Sequence, residues 1–508
     1  MTSDFETRRW PGAAVIAGVA LMIAANYLFR RVLEHPELRL YDFVQVFHPA
    51  AEKAFHSGHY QFWRLLLPIP ELSGSWTTTD LVVTDFVVHR LGPAGTWYLF
   101  NALLIAASFA TSWFVFRSAV FSYTFALSMG FGTQLYHVYA VSGGIGAPLL
   151  VIYYELVLTC AYAFIFADSR RAVRWSGAAL AASTALMVMA YEGWLDFLVF
   201  FCGAAVVIAP ALWKRNPVAL RRLTMTTIAL VGIGAAYVVL KVRLGYGQAS
   251  GTEADVIFNY HHVSPMIEDV VSNVLTHLYI AATNFLPPSF LSSTALYSLG
   301  AAELVTEQHG YHAPFTFLVP MHYVFLWRYA AGAIAVVVAY ALVKSIRALW
   351  SHPSRTSACT SLFLLLMVVG GPTHDLVKIR PMKTVPAVGY HAILGVLGAA
   401  LLIAFGLMYL ERRSGSRAKT LAVTAAVWMV ILYGALTRPA MLSHLAAQGG
   451  LGEGLYPDPW RAAEMRLGIP ITRPGGDVPY VLERVRPTGY GSCGLAAGCS
   501  KVGATRRG

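Results

Sequence analysis

Charged residues are scarce in this chain, and their scarcity decides its class. Of its 508 residues, 13% are charged and 56% are apolar. A soluble chain carries about a quarter charged residues, so a water-soluble globular protein is excluded. The apolar residues form repeated blocks long enough to cross a hydrocarbon core of about 30 Å. Alternating segments of about ten residues, which would indicate a membrane β-barrel, are missing. The sequence therefore predicts an all-α polytopic membrane protein.

Several motifs of familiar chemistry are also missing. There is no G-x-S-x-G elbow, no Walker A sequence, no G-x-G-x-x-G after a strand, and no H-E-x-x-H or cysteine-rich ligand pattern. Neither an internal repeat of about 20–50 residues nor the paired broken helices of an inverted-repeat transporter is visible. We predict no cofactor and metal-free action, with a divalent metal left open. A cleavable signal peptide is not expected, because the first apolar run is long and lacks an A-x-A exit.

The apolar blocks predict about eleven membrane-spanning helices, within a range of about 10 to 13. The segment 270–300 is ambiguous, because Pro287 and Pro288 interrupt it, and it fits either a re-entrant pair or two short helices. The predicted spans are 11–31, 94–116, 119–140, 146–167, 175–191, 195–213, 224–241, 324–346, 357–371, 386–410 and 420–437.

The basic residues of the short loops predict a cytoplasmic N-terminus, because cytoplasmic loops carry an excess of lysine and arginine. The net charge of +12 therefore mostly marks topology, and no nucleic-acid partner is expected. This orientation places 32–93, 242–323, 372–385 and 438–508 outside. We predict a membrane domain over 1–437, with a large first outer loop, and a small extracytoplasmic tail over 438–508.

The first outer loop contains the stretch RLYDFVQVFHPAAEKAFHSGHY, residues 39–60. Pro49 fits the first turn of a helix, and Gly58 fits its C-terminal stop. Between them, small and aromatic residues form one apolar face of a helix that is too short to span. We expect this helix to lie in the membrane interface, with Asp42 just before it.

This stretch resembles the first outer loop of the GT-C superfamily, integral-membrane glycosyltransferases that use lipid-phosphate sugars. Compared with that motif, the spacing from Asp42 to the alanine pair is slightly longer, and a proline before the final tyrosine is absent. The resemblance implies a GT-C-like fold and implies that Asp42 is the catalytic base. The matching residues are Asp42, Phe43, Phe47, Ala50, Ala51, Gly58 and Tyr60.

Further acids are candidates for the same site. A second acid in the first loop is common in the superfamily, and we choose Asp80 over Asp85, although Asp80 also fits a helix cap. Glu192 and Asp196, in MAYEGWLDF, lie where a helix reaches the outer face. They fit either solvated turn residues or contacts to sugar hydroxyls, and Glu192 is included among the catalytic candidates.

The outer loop 372–386 breaks the positive-inside pattern with Lys378, Arg380 and Lys383. An interfacial basic cluster suits a lipid phosphate, since arginine offers a bidentate fork and lysine a point charge. We expect these residues to bind the donor phosphate, with plain headgroup contact as the alternative. Other candidates for substrate contact are His48, Asp85, Asp196, His261, His262 and His391.

Glu155 lies near the middle of a predicted span, where a charge costs about 2.5–3.5 kcal/mol on insertion scales. We expect its side chain to face the bundle interior, either paired or protonated. It would be the leading proton carrier of a transporter.

Together these residues predict a glycosyltransferase of a bacterial inner membrane. It would move a sugar from a polyprenyl phosphate to a glycan, lipid or protein acceptor on the outer face, with inversion. One alternative is a multi-spanning transporter or lipid flippase. Another is an enzyme like O-antigen ligase or polymerase, which would leave Asp42 peripheral.

Overall fold

The computed structural model describes residues 12–33, 78–132, 146–189, 194–213, 215–243, 321–370 and 393–448, with short pieces between 274 and 286. This part of the chain forms eleven long helices. They are α1 Gly12–Leu33, α2 Thr78–Phe116, α3 Ala119–Phe131, α4 Gly146–Ile165, α5 Arg170–Val188, α6 Trp194–Trp213, α7 Pro217–Arg243, α8 Met321–Ser351, α9 Arg355–Val369, α10 Ile393–Arg413 and α11 Arg417–Gln448.

A helix lies at each of the eleven predicted segments, which confirms the all-helical prediction for the described residues. Six of these helices, α1, α2, α7, α8, α10 and α11, are long and apolar enough to cross a membrane. The helix boundaries differ from the predicted spans. Helix α2 begins at Thr78, inside the predicted first outer loop, and α11 continues to Gln448, whereas α3 already ends at Phe131. The number of crossings remains a prediction.

Five short turns connect consecutive helices that pack against each other as pairs: α2 with α3, α4 with α5, α6 with α7, α8 with α9, and α10 with α11. Long-range contacts place the turns at one end of the bundle, which we name the turn end. The Arg222 guanidinium donates from the start of α7 to the carbonyls of Phe164, Ile165 and Ala167 at 3.3, 3.3 and 2.6 Å. It thereby satisfies carbonyls that the end of α4 leaves without intrahelical donors.

The opposite end of the bundle, which we name the open end, is where α2, α4, α6, α8 and α10 begin. Helices α1 and α3 run parallel towards it. The Tyr123 hydroxyl donates to the Val15 carbonyl at 2.8 Å, and the Asn26 amide donates to the Gly130 carbonyl, also at 2.8 Å. All the longer connections of the chain start or finish at helix termini of the open end.

The core lies between α2, α3, α4 and α10, which pack against one another. Phe121, Phe125, Tyr154 and Leu397 are buried there. The outward faces are also apolar. Val206 is 71% exposed and Ile228 is 66% exposed. A soluble protein rarely leaves so much apolar surface in water, so we infer that lipid chains cover these faces.

Candidate functional site

Most of the predicted site residues lie outside the described residues. For three others the structure describes the backbone, which is helical. They are Asp80 and Asp85 on α2, and Asp196 on α6. The assignments therefore stay predictions. Those outside are Asp42, His48, Glu192, His261, His262, Lys378, Arg380, Lys383 and His391.

The two acids of α2 lie on the part of the helix that precedes its apolar span, Gly95–Phe116. Asp80 belongs to the first turn of α2, which begins at Thr78, rather than to a position before it. As the third residue of α2, Asp80 lies inside the helix and not at the cap position that was the alternative to a catalytic role. The physical reason is that the polar residues before Gly95 continue the helix beyond the apolar run. An acid in a first turn still interacts favourably with the helix dipole.

The topology brings the predicted segments to one end of the bundle. The helices that flank residues 34–77, 190–193, 244–320 and 371–392 all end or begin at the open end. Asp80 and Asp196 lie in the first turns of α2 and α6, at that same end. The connections that contain the predicted acids and the predicted basic cluster therefore join helix ends at one end of the bundle.

A pair of buried polar residues at the open end escaped the sequence prediction. His277 is 1% exposed and Asn284 is 0% exposed, in the ambiguous segment 270–300. Its described pieces are helical up to residue 282 and end in a turn over 284–286. Asn284 belongs to the turn, so helical periodicity does not relate it to His277, and no local pattern in the sequence marks the two residues.

This segment packs against helix ends that surround the candidate site. The Phe285 ring lies beside Gly132 at the end of α3, and Ala281 lies beside Gly395 near the start of α10. His277 and Asn284 are therefore buried polar residues of the open end, in a segment that packs against the ends of α3 and α10.

Glu155 is buried between α4 and α2, and only 4% of it is exposed. This confirms the prediction that it faces the bundle interior. Its Oε1 accepts a hydrogen bond of 2.7 Å from the Ser108 hydroxyl of α2. Its Oε2 has no hydrogen-bond partner among the described residues. The Thr111 hydroxyl lies beside the same carboxyl but donates to the Ala107 carbonyl at 2.8 Å.

The Ser108 hydrogen bond should contribute measurably to the stability of the bundle. We expect Ser108→Ala to lower the free energy of unfolding by about 1–2 kcal/mol, because it leaves a buried carboxyl oxygen without its donor. Ser112→Ala is the matched control, since the Ser112 hydroxyl donates only within α2, to the carbonyls of Ser108 and Phe109. Thermal unfolding in detergent measures both. Equal losses would contradict a role for the link between helices.

An apolar groove of about 520 Å³ lies between α4, α5 and α7. Leu180 and Val188 of α5 line one wall, and Leu230 and Ile233 of α7 line the other. The groove reaches Met189, at the end of α5, and therefore extends to the open end. Its dimensions and apolar lining suit a hydrocarbon chain.

No group of three or more His, Cys, Asp or Glu side chains gathers as a metal site within the helices described above. Metal-free action stays a prediction. Compared with known proteins, the chain matches no family model, no curated protein and no solved structure.

Proposed function

We propose that this protein is an integral-membrane glycosyltransferase that moves a sugar from a polyprenyl-phosphate donor to an envelope acceptor. The observation that carries the proposal is the stretch 39–60, where Asp42 precedes aromatic residues and an alanine pair directly after the first span. This pattern resembles the first outer loop of the GT-C superfamily. We place the reaction on the outer face of a bacterial inner membrane.

The chemistry requires two kinds of group. An acceptor hydroxyl needs a base within hydrogen-bond reach, and Asp42 supplies a carboxylate. The departing polyprenyl phosphate needs fixed positive charge, and Lys378, Arg380 and Lys383 supply three cations. The acceptor oxygen attacks the anomeric carbon as the bond to the phosphate oxygen breaks. The acceptor proton passes to Asp42, and the configuration at carbon inverts.

The arrangement of the helices supports a donor that is activated beforehand. The five turns at the turn end are short, and the longest of them covers residues 166–169. These turns leave no room for a nucleotide-binding domain between the helices they connect. The longer connections belong to the open end. A lipid-linked sugar that binds there already carries the activating bond to phosphate that is broken in the transfer.

The apolar groove also supports a lipid donor. It extends along α5 from Gly177 to Met189, and α6 begins at Trp194 shortly afterwards. A polyprenyl chain in the groove would therefore end at the open end, the end at which the connection 371–392 joins α9 to α10.

The decisive experiment compares the envelope of a deletion strain with that of its parent. We expect loss of one glycan product together with accumulation of a polyprenyl-phosphate sugar, because the donor is no longer consumed. Mass spectrometry of extracted lipids and composition analysis of envelope glycans measure both, and complementation with the intact gene should reverse both changes. Unchanged glycans and unchanged lipid-linked sugars would contradict the proposal.

Transport is the second candidate function, and the buried Glu155 carboxyl is the observation that favours it. An acid within the membrane commonly marks a proton or substrate path. Complementing the deletion strain with Asp42→Asn and with Glu155→Gln separates the candidates. Loss of complementation by Asp42→Asn alone indicates the transferase, and loss by Glu155→Gln alone indicates a transporter or flippase. An enzyme like O-antigen ligase would tolerate Asp42→Asn and lose activity on Arg380→Gln.

A further inference from the structure

Three arginines lie at neighbouring helix ends at the turn end, where α2 and α10 end and α9 begins. Arg117 lies in the turn after α2, Arg355 is the first residue of α9, and Arg412 lies in the last turn of α10. The guanidinium groups of Arg355 and Arg412 are close enough to repel each other, while Glu411 attracts Arg412. We name these three residues the arginine corner.

Arg355 holds the corner in place. Its guanidinium donates a hydrogen bond to the Val115 carbonyl in the last turn of α2. It also lies 5.3 Å from the centroid of the Phe116 ring. The Phe116 ring packs against Phe363 of α9 and Phe405 of α10, with centroids 6.1 and 6.4 Å away. The three helix ends are therefore fixed by folding, which sets the backbone positions of the three arginines before a ligand binds.

Arg117 has an unusual backbone for its side chain. Its φ is 52°, in the left-handed region that favours glycine. The residue is exposed, and its guanidinium lies 5.8 Å from the centroid of the Phe114 ring. Neither burial nor backbone conformation therefore favours an arginine at this point.

Exposed aromatic residues place the turn end at the membrane surface. Trp213, the last residue of α6, is 70% exposed, and Trp350, near the end of α8, is 50% exposed. Such residues concentrate at the level of the lipid headgroups. Phe114, one turn before the corner, is 48% exposed and would meet the adjoining acyl chains. Arg117 and Arg412 are both exposed at this level.

We propose that the arginine corner binds the phosphate of an anionic phospholipid headgroup. Guanidinium groups suit a phosphate oxyanion because they donate paired hydrogen bonds as well as charge. Free inorganic phosphate offers the same oxyanion, but it lacks acyl chains to pack beside the exposed Phe114 ring. The positive-inside pattern assigns this end to the cytoplasmic leaflet, where basic pockets between helices attract anionic lipids.

The test uses the full-length protein, purified in detergent and titrated with phosphatidylglycerol or phosphatidylcholine. Native mass spectrometry counts the lipid that remains bound. The double variant Arg117→Gln/Arg412→Gln removes two charges and keeps Arg355, which caps α2. We expect its apparent affinity for phosphatidylglycerol to fall about fivefold for each removed charge, hence roughly 25-fold. Binding of phosphatidylcholine should be unchanged.

Arg171→Gln/Arg174→Gln is the matched control, because it removes two exposed charges from the same end on α5. Its affinity for phosphatidylglycerol should remain near that of the parent. The proposal is overturned if both double variants lose affinity for phosphatidylglycerol equally, or if the corner variant keeps the parental affinity. It is also overturned if inorganic phosphate displaces the lipid at equal concentration. An unfolding temperature equal to that of the parent, measured with phosphatidylcholine as the only lipid, shows that a variant is folded. If the double variant fails to fold, Arg412→Gln alone should show a loss of about fivefold.

Discussion

Replacing Asp42 by asparagine should reduce the rate of sugar transfer by about 100-fold to 10,000-fold. Asparagine has the same shape as aspartate but does not accept the acceptor's proton. The effect should fall on kcat more than on KM, because the base acts on the transition state. Incorporation of sugar from the polyprenyl-phosphate pool that a deletion strain accumulates provides the assay. Purified protein in detergent or nanodiscs keeps the measurement independent of export and assembly.

Asp168→Asn is the control for this experiment. Asp168 is an exposed aspartate in the turn between α4 and α5, so the same chemical change is made at the opposite end of the bundle. We expect full activity. Transfer by Asp42→Asn at the parental rate, with the parental unfolding temperature, would remove Asp42 from the proposed mechanism. A loss shared equally by both variants would indicate a general effect of charge instead.

Replacing Gly398 by alanine should strongly destabilise the bundle. An added Cβ at Gly398 would lie 2.6 Å from the Met367 amide nitrogen and 2.9 Å from the Phe363 carbonyl oxygen. Both are backbone atoms of α9, so no side chain can turn away to make room. Helices α9 and α10 would have to separate. We expect a loss of about 3 kcal/mol in the free energy of unfolding, at the upper end of the range for overpacked cores.

Gly406→Ala provides the comparison on the same helix. An added Cβ at Gly406 meets nothing within 4 Å, and alanine removes the entropic penalty of a helical glycine, about 0.5–1 kcal/mol. This variant should unfold at a slightly higher temperature than the parent, and Gly398→Ala at a much lower one. Thermal unfolding in one detergent measures the pair. Equal unfolding temperatures would mean that α9 and α10 do not approach as closely as described.

The sequence predicted where helices lie, because apolar runs of membrane length leave few alternatives. It predicted their ends less well. Helix α2 begins at Thr78 rather than near 94. The apolar run marks only the part of a helix that crosses the hydrocarbon core, and the helix itself can continue beyond it. The burial of Glu155 was predictable from the cost of a charge in lipid. Its partner Ser108 was not, since helical periodicity does not specify which helices become neighbours.

The candidate site was predictable only as a set of residue types. Asp42 and Lys378 to Lys383 were selected because acids and clustered bases are conspicuous between apolar runs, and their roles stay predictions. His277 and Asn284 were missed because they occur singly within an apolar segment, where polar residues carry no obvious signal. Their burial becomes visible only when α3 and α10 pack beside them. Residues of this kind depend on tertiary contacts and not on local composition.

The contacts of Arg222 have a consequence for biosynthesis. The carbonyls of Phe164, Ile165 and Ala167 receive their donor from a residue that is translated 55 to 58 positions later. Until then, the end of α4 must rely on water or lipid headgroups. Helices α4 and α5 are thus synthesised before the arginine that completes their turn, and that turn closes only after the start of α7 has been made. We expect helices α4 to α7 to assemble as one unit that α7 completes.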